Sequence, residues 1–370
     1  MKPLRLLVAG GGTGGHLFPG IAVAQAVVEA GGEVLFVGTE RGIEKRVVPA
    51  AGFPLELLKV SGLKRMGFGK TLLGVIRLPA AFWGARAILR RFSPDVVLGV
   101  GGYASGPMVM TAALSGVPTA IQEQNSVPGF TNRVLGRVVN TVFVGFDDAG
   151  RHFAAHKVVH TGNPVRAAFV SAVASHVPHG NSDPPTLLVV GGSQGARAVN
   201  DRMVDAMEIL SKRGLAPRLV HQSGAADLES LQSRYASLGL ADRVEVRSFI
   251  DDMVATYCTA DLVVARAGAL TLAELAMVQK PAVLIPLPTA ADDHQTKNAE
   301  AFARAGAAEL LTQNDATPER LADAIARLLA DPVGLRKMGE AMLTMARPSA
   351  VQEIVVRLGA LASGQRASGR

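Results

Sequence analysis

In 370 residues there is one cysteine, Cys258, with one tryptophan and three tyrosines. A lone thiol excludes an internal disulfide framework. The first residues run into glycine at Gly10 instead of a signal-peptide apolar region, so a reducing, cytoplasmic home is expected. Aromatics are 5% of the chain and no RNA- or DNA-binding signature is present, so nucleic acid is not an expected partner. The placement of the net +7 charge then matters more than its total. Asp-x-Asp is missing, and His and Cys do not cluster at metal-ligand spacing. No metal and no cofactor are expected, which leaves the handling of anionic charge to backbone amides and helix ends. The longest uncharged stretch, Val96 to Gln122, could span a bilayer by length, but Gly99, Gly101, Gly102, Gly106, Pro107, Gly116 and Pro118 interrupt it. It reads as buried strand, loop and helix.

A hydrophobic content of 48% over this length supports two cores. The chain also repeats itself. Leu4 to Ala9 is an apolar run followed by Gly10-Gly11-Gly12-Thr13-Gly14-Gly15-His16 and then by helical periodicity through Ile21, Val23, Ala24, Val27 and Val28. Leu187 to Val190, Gly191-Gly192-Ser193-Gln194-Gly195-Ala196-Arg197 and a helix through Met203, Met207 and Leu210 repeat it without a gap. Further short apolar runs begin at Glu33, Val96, Thr119 and Thr141, then at Arg218, Val244, Leu262 and Ala282, each alternating with helical patterns. The fold class expected is α/β, with two Rossmann-like, doubly wound domains facing each other across a cleft. The boundaries expected are 1–163, 164–348, and a last segment 349–370 that packs back onto the first domain. Ala172 to Pro185 reads as linker, and the tail from Ser363 as disordered.

Gly10, Gly12 and Gly15 also fit a dinucleotide fingerprint with Glu40 as its acid, but that reading leaves the second glycine loop unexplained. Tight strand-helix packing is the plainer use of either loop. Gly69-Lys70-Thr71 lacks the earlier glycine of a phosphate-binding loop, since Lys64 stands there. A third glycine tract, Gly101 to Pro107, follows the Val96 run. In the second half, Arg266 to Glu274 takes a strand into a helix whose free amides suit a diphosphate. Glu274 suits a ribose diol or serves as an ordinary first-turn acid. Asp293 to Asn298 offers amides for sugar hydroxyls or merely caps a helix. His16, at a strand-to-helix turn, is a candidate general base, with a simple helix-start hydrogen bond as the alternative.

No acidic residue occurs from Leu57 to Pro94, where Lys59, Lys64, Arg65, Lys70, Arg77, Arg86, Arg90 and Arg91 accompany Leu72, Leu73, Ile76, Phe82 and Trp83. The mixture suits an anionic membrane surface, with Leu72, Leu73, Ile76, Phe82 and Trp83 inserting and Lys70, Arg77 and Arg86 meeting headgroups. A basic solvated face on a helix pair broken near Pro79 is the competing reading.

Together Gly11 to His16, Gly102 to Pro107, Glu123-Gln124-Asn125, Thr161 to Arg166, Gly191 to Ala196, Arg266 to Glu274 and Asp293 to Asn298 resemble the MurG family over nearly the whole chain. These bacterial transferases add N-acetylglucosamine to undecaprenyl-diphospho-muramoyl-pentapeptide. The resemblance implies the glycosyltransferase-B fold, UDP-GlcNAc as donor, the undecaprenyl-linked muramoylpentapeptide as acceptor, and a peripheral place on the cytoplasmic face of the inner membrane. It implies that Ile250 meets uracil through its backbone, Glu274 the ribose, and Ser193 with the amides of Ala269, Leu270 and Thr271 the diphosphate, with Leu272 and Ala273 also among the donor-binding residues. Asn125, Arg166 and Gln295 would surround sugar and diphosphate, with Thr13, Gly14 and Gly15 closing from the other domain. Gly14, Gly15, Tyr103, Ser105 and Gly106 would take the acceptor diphosphate. Ala267, where the family often has serine, and His294, where some members have glutamine, depart from the pattern. A nucleotide-sugar epimerase, a transferase with a soluble acceptor, a nicotinamide oxidoreductase and a non-catalytic nucleotide-sugar sensor are the alternatives.

Overall fold

Strand β1 (Arg5–Gly10) shows why the glycine loops lie where they do. Leu7 and Ala9 enter one apolar cluster and Leu6 and Val8 another, so both faces of the strand are buried. That is the condition of a central parallel strand covered by helices on each side. In the computed structural model, residues 3–40, 42–58, 68–174, 183–192 and 195–364 are described, the side chains of 68–78 and 173–174 excepted. The chain divides into two units, Met1–Arg166 with Ser349–Arg370, and Ala167–Pro348. The division falls after Arg166, three residues beyond the expected 163.

The first unit continues with β2 (Glu33–Thr39), β3 (Leu55–Leu58), β4 (Val96–Gly101), β5 (Thr119–Glu123), β6 (Thr141–Val144) and β7 (Val158–His160), in the order β3-β2-β1-β4-β5-β6-β7. Every pairing is parallel, with Leu6 opposite both Val34 and Val96. The chain winds outward from β1 to β3 and returns on the other side at β4, so the loops after β1 and β4 flank the switch point at the carboxyl edge. The helix Gly14–Glu29 covers one face with Leu17, Ile21 and Ala24, and the helix Ser105–Leu114 covers the other with Met108, Val109 and Ala112. The helix Ala350–Ala362 lays Ile354 and Leu358, four residues apart on one face, into the Leu6 and Val8 cluster. Each buries a side chain worth about 1.5–3 kcal/mol, which holds this last helix in the first unit.

The second unit repeats the winding with β8 (Thr186–Val190), β9 (Arg218–Gln222), β10 (Val244–Arg247), β11 (Leu262–Ala265), β12 (Ala282–Leu284) and β13 (Ala308–Leu310), ordered β10-β9-β8-β11-β12-β13. Leu187, Val189, Leu262 and Val264 pack on Val199, Met203 and Val204 of the helix Arg197–Lys212. The uncharged stretch from Val96 resolves into β4, the helix Ser105–Leu114 and β5, and no helix among the described residues is long and apolar enough to cross a membrane. The expected linker begins inside the helix Ala167–Ala174, and 175–182 lie outside the described residues, as does the tail from 365. The helix Phe68–Phe92 is continuous through Pro79 where a break was expected. A proline within a helix removes one backbone bond and does not by itself end it.

Candidate active site

At the carboxyl edge of the first sheet the glycine loop is organised by a carboxylate that the sequence did not single out. Glu44 is fully buried at the start of the helix Glu44–Ala50. It accepts from the backbone N–H of Gly12 at 2.8 Å and from the N–H and Oγ1–H of Thr39, each at 2.8 Å. Charge-assisted bonds of this kind offset the cost of taking the carboxylate from water. A Cβ on Gly11, whose φ is +146°, would collide with the Glu44 carboxylate, so this position requires glycine. Gly11 N–H in turn donates to the carbonyl of Gly101 at 3.2 Å, linking the loops after β1 and β4. Gly12, Thr13 and Gly15 remain exposed, and the helix Gly14–Glu29 begins without a side-chain cap, so its first amides are open to an anion.

A second buried carboxylate, Glu123, shapes the next loop. It accepts from Asn125 N–H at 3.0 Å, Asn125 Nδ2 at 3.3 Å, Gly129 N–H at 3.2 Å and Asn132 Nδ2 at 2.8 Å. Asn125 is thereby held half-buried at the end of β5. His16, also half-buried, lies with Nδ1 3.1 Å from Gln124 Oε1. Its ring occupies the space that a side chain at Gly101 would need, since a Cβ there would fall 2.8 Å from Nδ1.

Among the acceptor-side residues, Tyr103 is 53% exposed and Gly106 half-buried. Ser105 is completely buried, its Oγ without a hydrogen-bond partner, so its hydroxyl is not at the loop surface. Arg166 is half-buried. On the helix Phe68–Phe92, Trp83 is 75% exposed, Arg86 is exposed and Phe82 half-buried. The side chains of Lys70, Leu72, Leu73, Ile76 and Arg77 lie outside the described residues, as does Ser193.

In the second unit a buried cation braces the loop after β11. Arg266, after β11, donates from Nη1 to the carbonyls of Ile285 and Pro286 at 3.0 and 2.9 Å, and from Nη2 to Gln313 Oε1 at 2.7 Å. Burial, with the nearby Arg202, pushes its pKa down to about 10, so it keeps its positive charge at neutral pH. The loop so braced delivers Gly268 and the helix Ala269–Met277, which has no side-chain cap and presents its first amides. Ala269, Leu272 and Glu274 are buried on this helix. Gln295 accepts from Leu287 N–H at 3.0 Å, which leaves its NH2 as the donor half. Asn298 is fully buried and donates to the carbonyl of Ala267 at 3.3 Å, so it braces the Arg266 loop. Ile250 is buried beside Asp252, which caps the helix Met253–Thr259 through Ala255 N–H at 3.0 Å.

Residues 6–144 match the N-terminal domain of glycosyltransferase family 28 and residues 186–354 its C-terminal domain. Over 354 residues the chain is 51% identical to the UDP-N-acetylglucosamine--N-acetylmuramyl-(pentapeptide) pyrophosphoryl-undecaprenol N-acetylglucosamine transferase of Myxococcus xanthus (strain DK1622), with 95% of this chain and 91% of that one covered. It is 49% identical, at the same coverages, to the protein of the same name from Anaeromyxobacter dehalogenans (strain 2CP-1 / ATCC BAA-258). The crystal structure of MurG from Acinetobacter baumannii superposes with a TM-score of 0.78 at 33% identity, covering 96% of this chain and 99% of that one. The chain belongs to the MurG family. Membership carries the glycosyltransferase-B architecture of two parallel-sheet units and sets aside the dinucleotide reading of Gly10 to Gly15.

Proposed function

We propose that the chain transfers N-acetylglucosamine from UDP-GlcNAc to the C4 hydroxyl of the muramoyl sugar of undecaprenyl-diphospho-muramoylpentapeptide, the lipid I to lipid II step of peptidoglycan synthesis. The observation that carries the reading is the 49–51% identity, over 95% of the chain, to transferases named for that donor and acceptor. The local chemistry agrees with it. Donor binding belongs mainly to the second unit: the amides of Ala269, Leu270 and Thr271 meet the diphosphate, with Leu272 and Ala273 in the same helix, Glu274 takes the ribose, Ile250 the base, and Gln295 the sugar. Ser193, Asn125, Arg166, Thr13, Gly14 and Gly15 complete the donor set, and Gly14, Gly15, Tyr103 and Gly106 bind the acceptor diphosphate.

Chemically the reaction is a single displacement. His16 removes the proton as the hydroxyl oxygen attacks the anomeric carbon, the bond to UDP breaks on the opposite face, and the linkage inverts from α to β. Negative charge growing on UDP is stabilised by the uncapped amides at the start of the Ala269 helix and by its dipole. Exposed Trp83 and Arg86 on a helix whose segment lacks acids support docking on an anionic membrane at the cytoplasmic face of the inner membrane, with Phe82, Leu72, Leu73, Ile76, Lys70 and Arg77 as its further contacts.

Product analysis tests the reading. With UDP-GlcNAc and a short-chain lipid acceptor, a β-linked disaccharide lipid and free UDP are expected. Formation of an epimeric nucleotide sugar without acceptor would favour the epimerase alternative and overturn it.

A further inference from the structure

Behind His16 lies a chain of buried amides whose direction can be read from its two ends. Gln122, Gln124 and Asn163 are 1, 2 and 5% exposed, so their terminal groups bond to protein. One terminal atom of Gln124 is 2.9 Å from the carbonyl oxygen of Val100. A backbone carbonyl only accepts, so that atom is Nε2, and the atom facing His16 Nδ1 at 3.1 Å is Oε1. The other end gives the same answer independently. Asn163 Nδ2 donates to the carbonyl of Gln124 at 2.9 Å, which turns Oδ1 toward Gln122, whose Nε2 donates to it at 2.9 Å. Gln122 Oε1 then accepts the second hydrogen of Gln124 Nε2. Both anchors require Gln124 to offer an acceptor to the imidazole.

We infer that Gln124 is a positioning residue that holds neutral His16 as the Nδ1–H tautomer, leaving Nε2 with its lone pair free to receive a proton. An imidazole's tautomer is set by the hydrogen bond that its other nitrogen makes. Here the partner is a neutral amide, which orients the ring without placing a negative charge against it. The Gly101 approach restricts the ring from the other side, since nothing larger than hydrogen fits there. This inference rests on the reading of His16 as the general base for its catalytic consequence, while the tautomer itself can be observed without any turnover.

The ring nitrogens of His16, assigned by comparison with a His16→Gln protein, are read by 15N NMR at about pH 8.5, about two units above the ordinary imidazole value. Wild type should show a protonated Nδ1 and an unprotonated Nε2. In Gln124→Met, which keeps the length but removes the acceptor, the ring should move toward Nε2–H. Its kcat should fall about 10- to 100-fold with the donor KM within about twofold. An Nε2–H ring in wild type or an unshifted ring in Gln124→Met would each overturn the inference, and a shifted ring with unchanged kcat would overturn its catalytic consequence. Should Gln124→Met not fold, the wild-type ring decides. Full turnover by His16→Ala would instead remove the base reading and leave the tautomer result standing, so the two failures are distinct.

Discussion

The two sheets share one winding but brace their loops with opposite charge. In the first unit buried carboxylates, Glu44 and Glu123, gather backbone and side-chain N–H groups. In the second, buried Arg266 and Lys280 gather carbonyls: Arg266 those of Ile285 and Pro286, and Lys280 that of Cys258 at 3.1 Å. The histidines differ in the same spirit. His221, in β9, has Nδ1 3.0 Å from Tyr235 Oη and Nε2 3.1 Å from Asn200 Oδ1, so both nitrogens are occupied. Asn200 Nδ2 donates to the Ser223 carbonyl, which turns Oδ1 to the ring and makes Nε2 the donor. His16, among the described residues, has only Nδ1 bonded, to Gln124 Oε1, and takes the opposite tautomer. An imidazole bonded on both sides is part of the frame, whereas one bonded on a single side is available for proton transfer.

Substitution can break this contrast, and the largest effect belongs to His16. His16→Ala should lower kcat by about 10²–10⁴-fold in a steady-state transfer assay while leaving the melting temperature near wild type. Next comes Glu44→Ala, which strands the buried donors of Gly12 and Thr39 and should cost about 3 kcal/mol in urea unfolding, with a loss of turnover as the loop relaxes. Glu44→Gln, which keeps an acceptor oxygen, should cost less.

The third test concerns the frame histidine. Burial pushes the pKa of His221 from 6.5 down to about 3. The unfolded ring takes a proton below about pH 6.5 that the folded ring refuses, so its contribution is complete above that pH and drains as pH falls toward 3. Unfolding free energy should drop by about 1.4 kcal/mol per pH unit in that window, and His221→Gln should flatten this part of the curve. The smallest effect is that of Trp83→Ala. Stability should change by less than about 0.5 kcal/mol, yet sedimentation with anionic vesicles should weaken.

What could be read from the sequence followed the periodicity. β6 and β11 have the bounds that their apolar runs suggest, and the glycine loops follow β1 and β8 as the repeat requires. The strands β3, β7 and β13, at three of the four sheet edges, were not read from the sequence; each is three or four residues long and carries a polar residue within it or at its end, such as Glu56, His160 or Glu309. Their conformation is set by the neighbouring strand. His16 stood out as a candidate, but its partner Gln124 is 108 positions away, and Glu44 is 32 from Gly12. No local spacing rule connects such residues. Asn298 looked like a sugar ligand because residue type does not reveal which way a helix face turns.

The central claim is that one winding serves two tasks, with the second unit gripping the donor and the first supplying the base. Calorimetric titration of UDP-GlcNAc into His16→Ala and Glu274→Ala tests it most directly. Donor affinity should stay within about twofold of wild type in His16→Ala and fall about tenfold or more in Glu274→Ala, as the loss of hydrogen bonds to a ribose demands. The reverse pattern, with affinity lost at His16 and kept at Glu274, would contradict it.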